Sequence, residues 1–361
     1  MFNSKEIMNE LMKNVVGQDE YVRQLAILGY KHQLNQTLIE KGKTPLNNNL
    51  LVVGPTGSGK TFGAKQLAKN IDVPFYEVDC SNVVQTGYRG LTSVEHILKD
   101  AVNKLGSGTR HAIIYLDEFD KVYDQALDKR GEGVAQQQNF LKMLEPNDIV
   151  FDRDNSPRFT AARTLNTAGI TYIATGSFDI IRRKNLKHKQ KMGFEKGSVE
   201  NESISKEDII KAGFIPELVG RFSTLINLNE LSEDDYYRIL RNSKESAYTQ
   251  YKDFFKATDV DLEIDNNVLK KIAHEAYEKK VGARGLNDVL NSYLEDCIFD
   301  VSCDPTISKV KIFLKEGKIV SESKRQKRKK IRHVEENSEK DNMISILEES
   351  EIYRKEVNEN E

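Results

Sequence analysis

Four apolar residues, Leu50, Leu51, Val52 and Val53, run directly into Gly54-Pro55-Thr56-Gly57-Ser58-Gly59-Lys60-Thr61. After them Ala64, Leu67, Ala68 and Ile71 recur at helical spacing. A short buried strand therefore feeds a glycine-rich turn that opens a helix, which is the setting of a phosphate-binding P-loop. Glycines let successive backbone N–H groups converge on phosphate oxygens, and the helix N-terminus adds partial positive charge. Lys60 is placed to reach the outer phosphates, and the Thr61 hydroxyl to ligate Mg²⁺.

A strand that opens into a P-loop needs neighbouring strands, and the rest of the chain supplies them. Val73 to Val78, His111 to Leu116, Gly169 to Thr175 and Thr224 to Leu228 read as further strands, with helical stretches such as Ser93 to Leu105 between them. Strands alternating with helices predict an α/β fold, a parallel sheet covered on both faces. Asp19 to Lys41 reads as a packed helix and Lys41 to Asn49 as a polar loop. Beyond Asn229 the pattern changes to helical stretches over Ser232 to Phe255, Asp265 to Lys280 and Ala283 to Asp300, with N-caps expected at Ser232 and Asp265. Val260 to Ile264 and Lys309 to Leu314 alternate and suit one strand pair beside them. The expected organisation is a large domain over 1–228 with an insertion at about 182–210, a smaller mainly helical domain over 229–320, and a charged, disordered or weakly helical tail over 321–361.

Composition narrows the functional classes. With 361 residues, 38% hydrophobic and 30% charged, the chain has enough apolar material for two cores. A net charge of -2 gives no overall attraction to nucleic acid or membrane, because the basic run Lys324 to Arg332 is offset by the acidic stretch Glu335 to Glu361. Cys80, Cys297 and Cys303 form neither a CxxC pair nor a disulfide framework, so a reducing compartment is expected. No secretory or transit pattern and no membrane-length apolar run is present, which makes the cytoplasm the expected location.

The third strand ends in Leu116-Asp117-Glu118-Phe119-Asp120, which puts carboxylates at the C-terminal edge of the sheet, where open α/β sheets bind ligands. Asp117 is suited to hold Mg²⁺ through water, and Glu118 to orient and deprotonate a water attacking a terminal phosphate.

Gly54 to Thr61, Tyr115 to Asp120, Gly213-Phe214-Ile215-Pro216-Glu217-Leu218-Val219-Gly220-Arg221-Phe222 and Gly282-Ala283-Arg284-Gly285-Leu286 occur in the order and context of the AAA+ protein unfoldases of the ClpX type, with HslU a close relative. The resemblance covers roughly Val15 to Val320. It implies a homo-hexameric ring that binds ATP with Mg²⁺ at subunit boundaries and pulls unfolded or tagged proteins through a central pore. Within it, Arg221 resembles the arginine finger that reaches a neighbour's nucleotide, and Arg284 the sensor-two arginine of the small domain. Val15 and Val16 resemble the adenine-contacting segment, core packing being the other reading, and Thr175 or Ser177 stands where sensor one belongs.

The same resemblance assigns roles outside the ATP site. Gly87-Tyr88-Arg89-Gly90 occupies the place of the pore loop, with Tyr88 gripping extended polypeptide and Arg89 replacing the usual aliphatic residue. Gly131-Glu132-Gly133-Val134, followed by Gln137 to Glu145, resembles the second pore loop and its helix, and Phe151 to Arg163 stands where a basic pore-entrance loop is found. Met192-Gly193-Phe194 is a variant of the tripeptide that docks on a ClpP-like peptidase, where six weak contacts add through avidity. No cysteine quartet precedes Val15, so the family's N-terminal zinc-binding module is not expected. Two other readings share the ATP site: a non-proteolytic assembly or disassembly chaperone, and a nucleic-acid remodelling motor. The Gly-Tyr-Arg-Gly loop and the lack of a basic groove argue against the second.

Overall fold

The structure, a computed structural model, describes residues 1–82, 94–105, 111–123, 132–146, 148–151, 163–191 and 203–326. Tyr88, Arg89, Met192, Gly193 and Phe194, and with them the pore-loop and docking expectations, lie outside the described residues.

Strand β1 (Leu50–Val53) is buried along its whole length, because both faces of its sheet are covered. Leu51 and Val53 enter one apolar cluster with Ile114, Leu116 and Phe119, whereas Leu50 and Val52 enter a second with Leu25, Leu67 and Tyr115. Successive residues of a strand point to opposite faces, so one four-residue run serves two cores. Parallel strands β2 (Phe75–Asp79), β3 (Ala112–Asp117), β6 (Ile170–Gly176) and β7 (Thr224–Asn227) complete a sheet of order β2-β3-β6-β1-β7. This is the predicted α/β architecture. Its consequence for the site is that the ends of β1, β6 and β3 are consecutive along one edge.

Helices α1 (Ser4–Leu11), α2 (Asp19–Glu40) and α3 (Lys60–Asn70) cover one face, and α4 (Val94–Leu105) and α5 (Glu132–Leu144) the other. The sequence reading did not mark α1, which is started by a capping box between Asn3 and Glu6 and buries only Ile7 and Leu11. The segment read as a pore-entrance loop begins and ends in an antiparallel pair, β4 (Asp148–Phe151) with β5 (Arg163–Asn166). The expected insertion at about 182–210 opens within helix α6 (Asp179–Lys191) and closes in α7 (Lys206–Lys211), after which α8 (Pro216–Gly220) leads to Arg221.

A second core begins at Leu231, where the preceding apolar residue, Leu228, still packs with the large sheet. The stretch from Ser232 to Phe255 is two helices rather than one, α9 (Glu233–Asn242) and α10 (Ala247–Lys256), because Ser243 leaves helical geometry and Ser246 caps a new start. Ser232 caps α9 as expected, whereas Asp265 stands at the N-cap of α11 (Asn266–Glu278) without a side-chain bond to it. Helix α12 (Gly285–Cys303) follows the Gly282–Arg284 turn. Strand β8 (Asp261–Ile264) pairs in parallel with β9 (Ile307–Lys315), and β9 turns through Glu316 and Gly317, both at positive φ, into β10 (Lys318–Arg325). The small sheet thus has three strands rather than two, and the boundary expected at residue 321 falls inside one of them. A lone edge strand can be charged on both faces, and β10 reads as polar sequence for that reason. Among the described residues no helix is long and apolar enough to cross a membrane, and the three cysteines are unpaired.

Candidate active site

A cleft of about 390 Å³ lies between the P-loop, the end of β3 and the second core. Thr56, Gly57, Ser58, Gly59, Lys60 and Thr61 line it, together with Val15, Val16, Asp117, Glu118 and Arg284. Gly54 and Pro55 act from behind: their carbonyl oxygens accept from Lys60 Nζ at 2.7 and 2.8 Å. Burial pushes the Lys60 ammonium down to about 8, against the pull of Asp117 and Asp120 and helped by the positive fields of Arg182 and Arg284. The lysine is thus held on neutral acceptors in a site built for anions. Tyr21 Oη donates to the Lys60 carbonyl at 2.6 Å and anchors the first turn of α3 to α2.

Two glycines bring the second core onto the P-loop. The Ala283 N–H donates to the Gly57 carbonyl at 3.2 Å, and a Cβ on Gly282 would stand 2.7 Å from Gly57 Cα. Gly57 and Gly282 also have φ of +78° and +68°, conformations that L side chains rarely adopt. The contact carries Arg284, the N-cap residue of α12, into the cleft. A second tie runs through Glu245, which accepts from Gln66 at 2.8 Å and Lys69 at 2.7 Å on α3, with Lys69 holding its carboxyl below the usual range.

The carboxylate edge is ordered by a chain of hydroxyls. Thr175 Oγ1 lies 2.9 Å from Asp117 Oδ1 and 2.8 Å from Tyr115 Oη, and Tyr115 Oη lies 2.9 Å from Thr61 Oγ1. A carboxylate only accepts, so Thr175 donates to Asp117 and fixes its orientation. Thr61 and Asp117 are therefore linked through two buried hydroxyl groups. Hydroxyl and carboxylate oxygens are the hard donors that Mg²⁺ takes, with its remaining positions filled by phosphate and water. Among the described residues no group of three or more His, Cys, Asp or Glu side chains stands ready for a metal.

Glu118 is exposed at the cleft and has a φ of +51°, its N–H donating to Asp117 Oδ1 at 3.0 Å. A left-handed glutamate is strained, and such strain gathers at functional residues. Of the two sensor-one candidates, Ser177 lines the cleft and donates to Asp120 Oδ2 at 3.3 Å, whereas Thr175 is fully buried behind Asp117. Val15 is 6% exposed in the apolar cluster and also lines the cleft. Arg221 is not among the residues that line the cleft; its guanidinium donates to Glu145 instead. The sequence reading missed Tyr115 as a polar contributor and Glu245 altogether. The serines at 243 and 246 were the available sign of a helix break that brings Glu245 to the site.

The AAA domain (Cdc48 subfamily) matches residues 46–225, and the C-terminal, D2-small domain of ClpB protein matches 231–312. The ATP-dependent Clp protease ATP-binding subunit ClpX of Borrelia duttonii is 33% identical over 330 residues, covering 85% of this chain and 76% of the relative. The chain belongs to the ClpX family. The ClpX protein of Treponema denticola is 32% identical over 327 residues, with 82% and 76% covered. Membership makes the chain a nucleotide-binding AAA+ ATPase, and the family match spans both the P-loop unit and the smaller unit that carries Arg284.

Proposed function

We propose that this chain is an ATP-driven protein unfoldase that works as a ring of six, threads substrate chains past Tyr88 and delivers them to a ClpP-like peptidase. The observation that carries the reading is that one cleft is walled by the P-loop and by Arg284 from the second core, so a bound nucleotide grips both units at once. Residues 1–228 are the large unit and 229–325 the small one in this reading, with the nucleotide at their junction.

In the reaction, Lys60 exchanges the Gly54 and Pro55 carbonyls for phosphate oxygens, and Ser58 and Gly59 turn the start of α3 toward the same anion. Thr61 and Asp117 would hold Mg²⁺, which would supply charge neutralisation for the phosphates. Glu118 orients the attacking water and takes its proton, while Asp117 is kept in place by Thr175. Thr175 or Ser177 serves as the sensor-one group. Arg284 follows the loss of the terminal phosphate and moves the small unit through the Ala283–Gly57 contact. Arg221, placed outside its own cleft, serves the neighbouring subunit's nucleotide, which makes hydrolysis depend on assembly.

The peptidase partnership is supported by the relatives' name, which makes them the ATP-binding subunit of a Clp protease, and by Met192-Gly193-Phe194 in a polar segment. The deciding experiment measures unfolding of a stable folded substrate and its degradation when a ClpP-type peptidase is added. Tyr88→Ala is expected to hydrolyse ATP while losing unfolding. Phe194→Ala is expected to keep unfolding and lose degradation. Unfolding at the normal rate by Tyr88→Ala would overturn the threading reading, and normal degradation by Phe194→Ala would overturn the docking one.

A further inference from the structure

Helix α5 packs against the two segments that carry Glu118 and Arg221. Its first residues, Glu132 to Val134, are those that resemble the second pore loop. In its middle, the fully buried Gln137 accepts from the Ile215 N–H at 2.8 Å and donates to the Gly213 carbonyl at 3.2 Å, so both ends of one amide are spent on the segment leading to Arg221. The Phe140 ring meets Phe119, the residue after Glu118, edge to face at 5.6 Å, and Phe119 in turn meets Phe222, the residue after Arg221, at 5.4 Å. Just past its C-terminus, Glu145 accepts from the Arg221 guanidinium. The Glu145 backbone is itself held, its carbonyl accepting from Thr167 Oγ1 at 2.8 Å.

We propose that Glu145 is a positioning residue for Arg221, setting the direction in which the guanidinium leaves its own subunit. The inference rests on the reading of Arg221 as a group that acts on the neighbour's nucleotide. Both side chains are more than a third exposed, and exposed ion pairs add little to stability, so a stabilising role does not account for the pair. A long arginine side chain reaching out of the fold loses much rotamer freedom when it docks, and a carboxylate that pre-orders it lowers that loss. The backbone of Arg221 is fixed independently, its carbonyl accepting from Asn47 at 3.0 Å and Asn49 at 3.3 Å. Glu145 therefore governs the side chain alone. Through α5 the same contact links the reach of Arg221 to the aromatic ring beside Glu118.

The test uses full-length subunits mixed into rings. Glu118→Gln subunits retain Arg221 but do not hydrolyse, and Arg221→Ala subunits retain a complete cleft but offer no finger. Mixed one to one, they are expected to recover about a quarter of wild-type turnover, since half the clefts are competent and half of those face Arg221. Donors carrying both Glu118→Gln and Glu145→Gln are expected to lower that recovered kcat by about tenfold, with KM for ATP and the melting temperature unchanged, and Glu145→Asp donors to restore part of it. Equal recovery with Glu145 and Glu145→Gln donors overturns this inference, as does a drop that appears in KM or in melting temperature rather than kcat. No recovery from the simple Glu118→Gln and Arg221→Ala mixture overturns instead the reading that Arg221 acts across subunits.

Discussion

The Gly57 carbonyl accepts the Ala283 N–H at 3.2 Å, and the Cα atoms around that bond approach so closely that neither Gly57 nor Gly282 has room for a side chain. This is the point where the two cores of the chain meet at the phosphate-binding turn. Gly282→Val sets a β-branched residue at a φ of +68° with its Cβ 2.7 Å from Gly57 Cα. It is expected to weaken ATP binding by at least about tenfold, measured by titration calorimetry. Gly317→Ala, at a φ of +76° but with no neighbour among the described residues within 4 Å, strains the backbone elsewhere and is expected to leave ATP affinity unchanged.

Glu118 is exposed in the cleft and contributes no packing, so Glu118→Gln leaves the fold and the phosphate site intact. Nucleotide binding by fluorescence titration is expected to persist, while steady-state hydrolysis falls by roughly 10²- to 10⁴-fold.

Lys60 offers a pH signature. Its pKa of about 8 lies below the ordinary 10.5, so near pH 8.5 most of the unliganded lysine is neutral. Phosphates favour its charged form, and binding at that pH therefore takes up a proton. Calorimetric heats of ATP binding at pH 8.5 are expected to vary with the ionisation enthalpy of the buffer in the direction of proton uptake. Affinity is expected to decline as pH rises above 8. A Lys60→Arg variant, charged throughout, is expected to lose the uptake.

His32 predicts a loss of stability in mild acid. It is 1% exposed, with Nδ1 2.9 Å from Thr171 Oγ1, the His111 ring 6.1 Å away and, among the described residues, no hydrogen-bond partner at Nε2. Burial, assisted by His111, lowers its pKa from 6.5 to about 4. Between those values the unfolded chain binds a proton that the folded chain refuses, so stability falls as pH drops from 6.5 towards 4. The loss is on the order of 3 kcal/mol at most. Urea titrations across this range are expected to show the slope in the wild type and a flatter one in His32→Leu, where Asn48 still donates to Thr171.

The parts legible in the sequence were those whose chemistry is local. The P-loop declares itself locally, because the strand, the glycines and the helix that make it are consecutive. Asp117 and Glu118 were legible because an apolar strand ends on them. The position of Arg284 was carried by family motif alone, since no periodicity shows that residue 282 abuts residue 57. Tyr115 was hidden by its own strand: five buried residues in a row give no hint that one hydroxyl bridges Thr61 and Thr175. The β10 edge and the two-turn helix α1 escaped because each buries too little to leave an apolar pattern.

The order β2-β3-β6-β1-β7 has a consequence for the birth of the molecule. Leu50–Val53 borders β6 on one side and β7 on the other, and the second of those partners ends at Asn227. At ribosomal speeds of about 5–20 residues per second, β1 waits roughly 9–35 s for its last neighbour to be synthesised. Until β7 is made, the β1 edge that will face it keeps its peptide groups unpaired beside four wholly apolar residues, so the nascent chain passes through a stage with an open sheet edge of the kind that invites pairing with other chains.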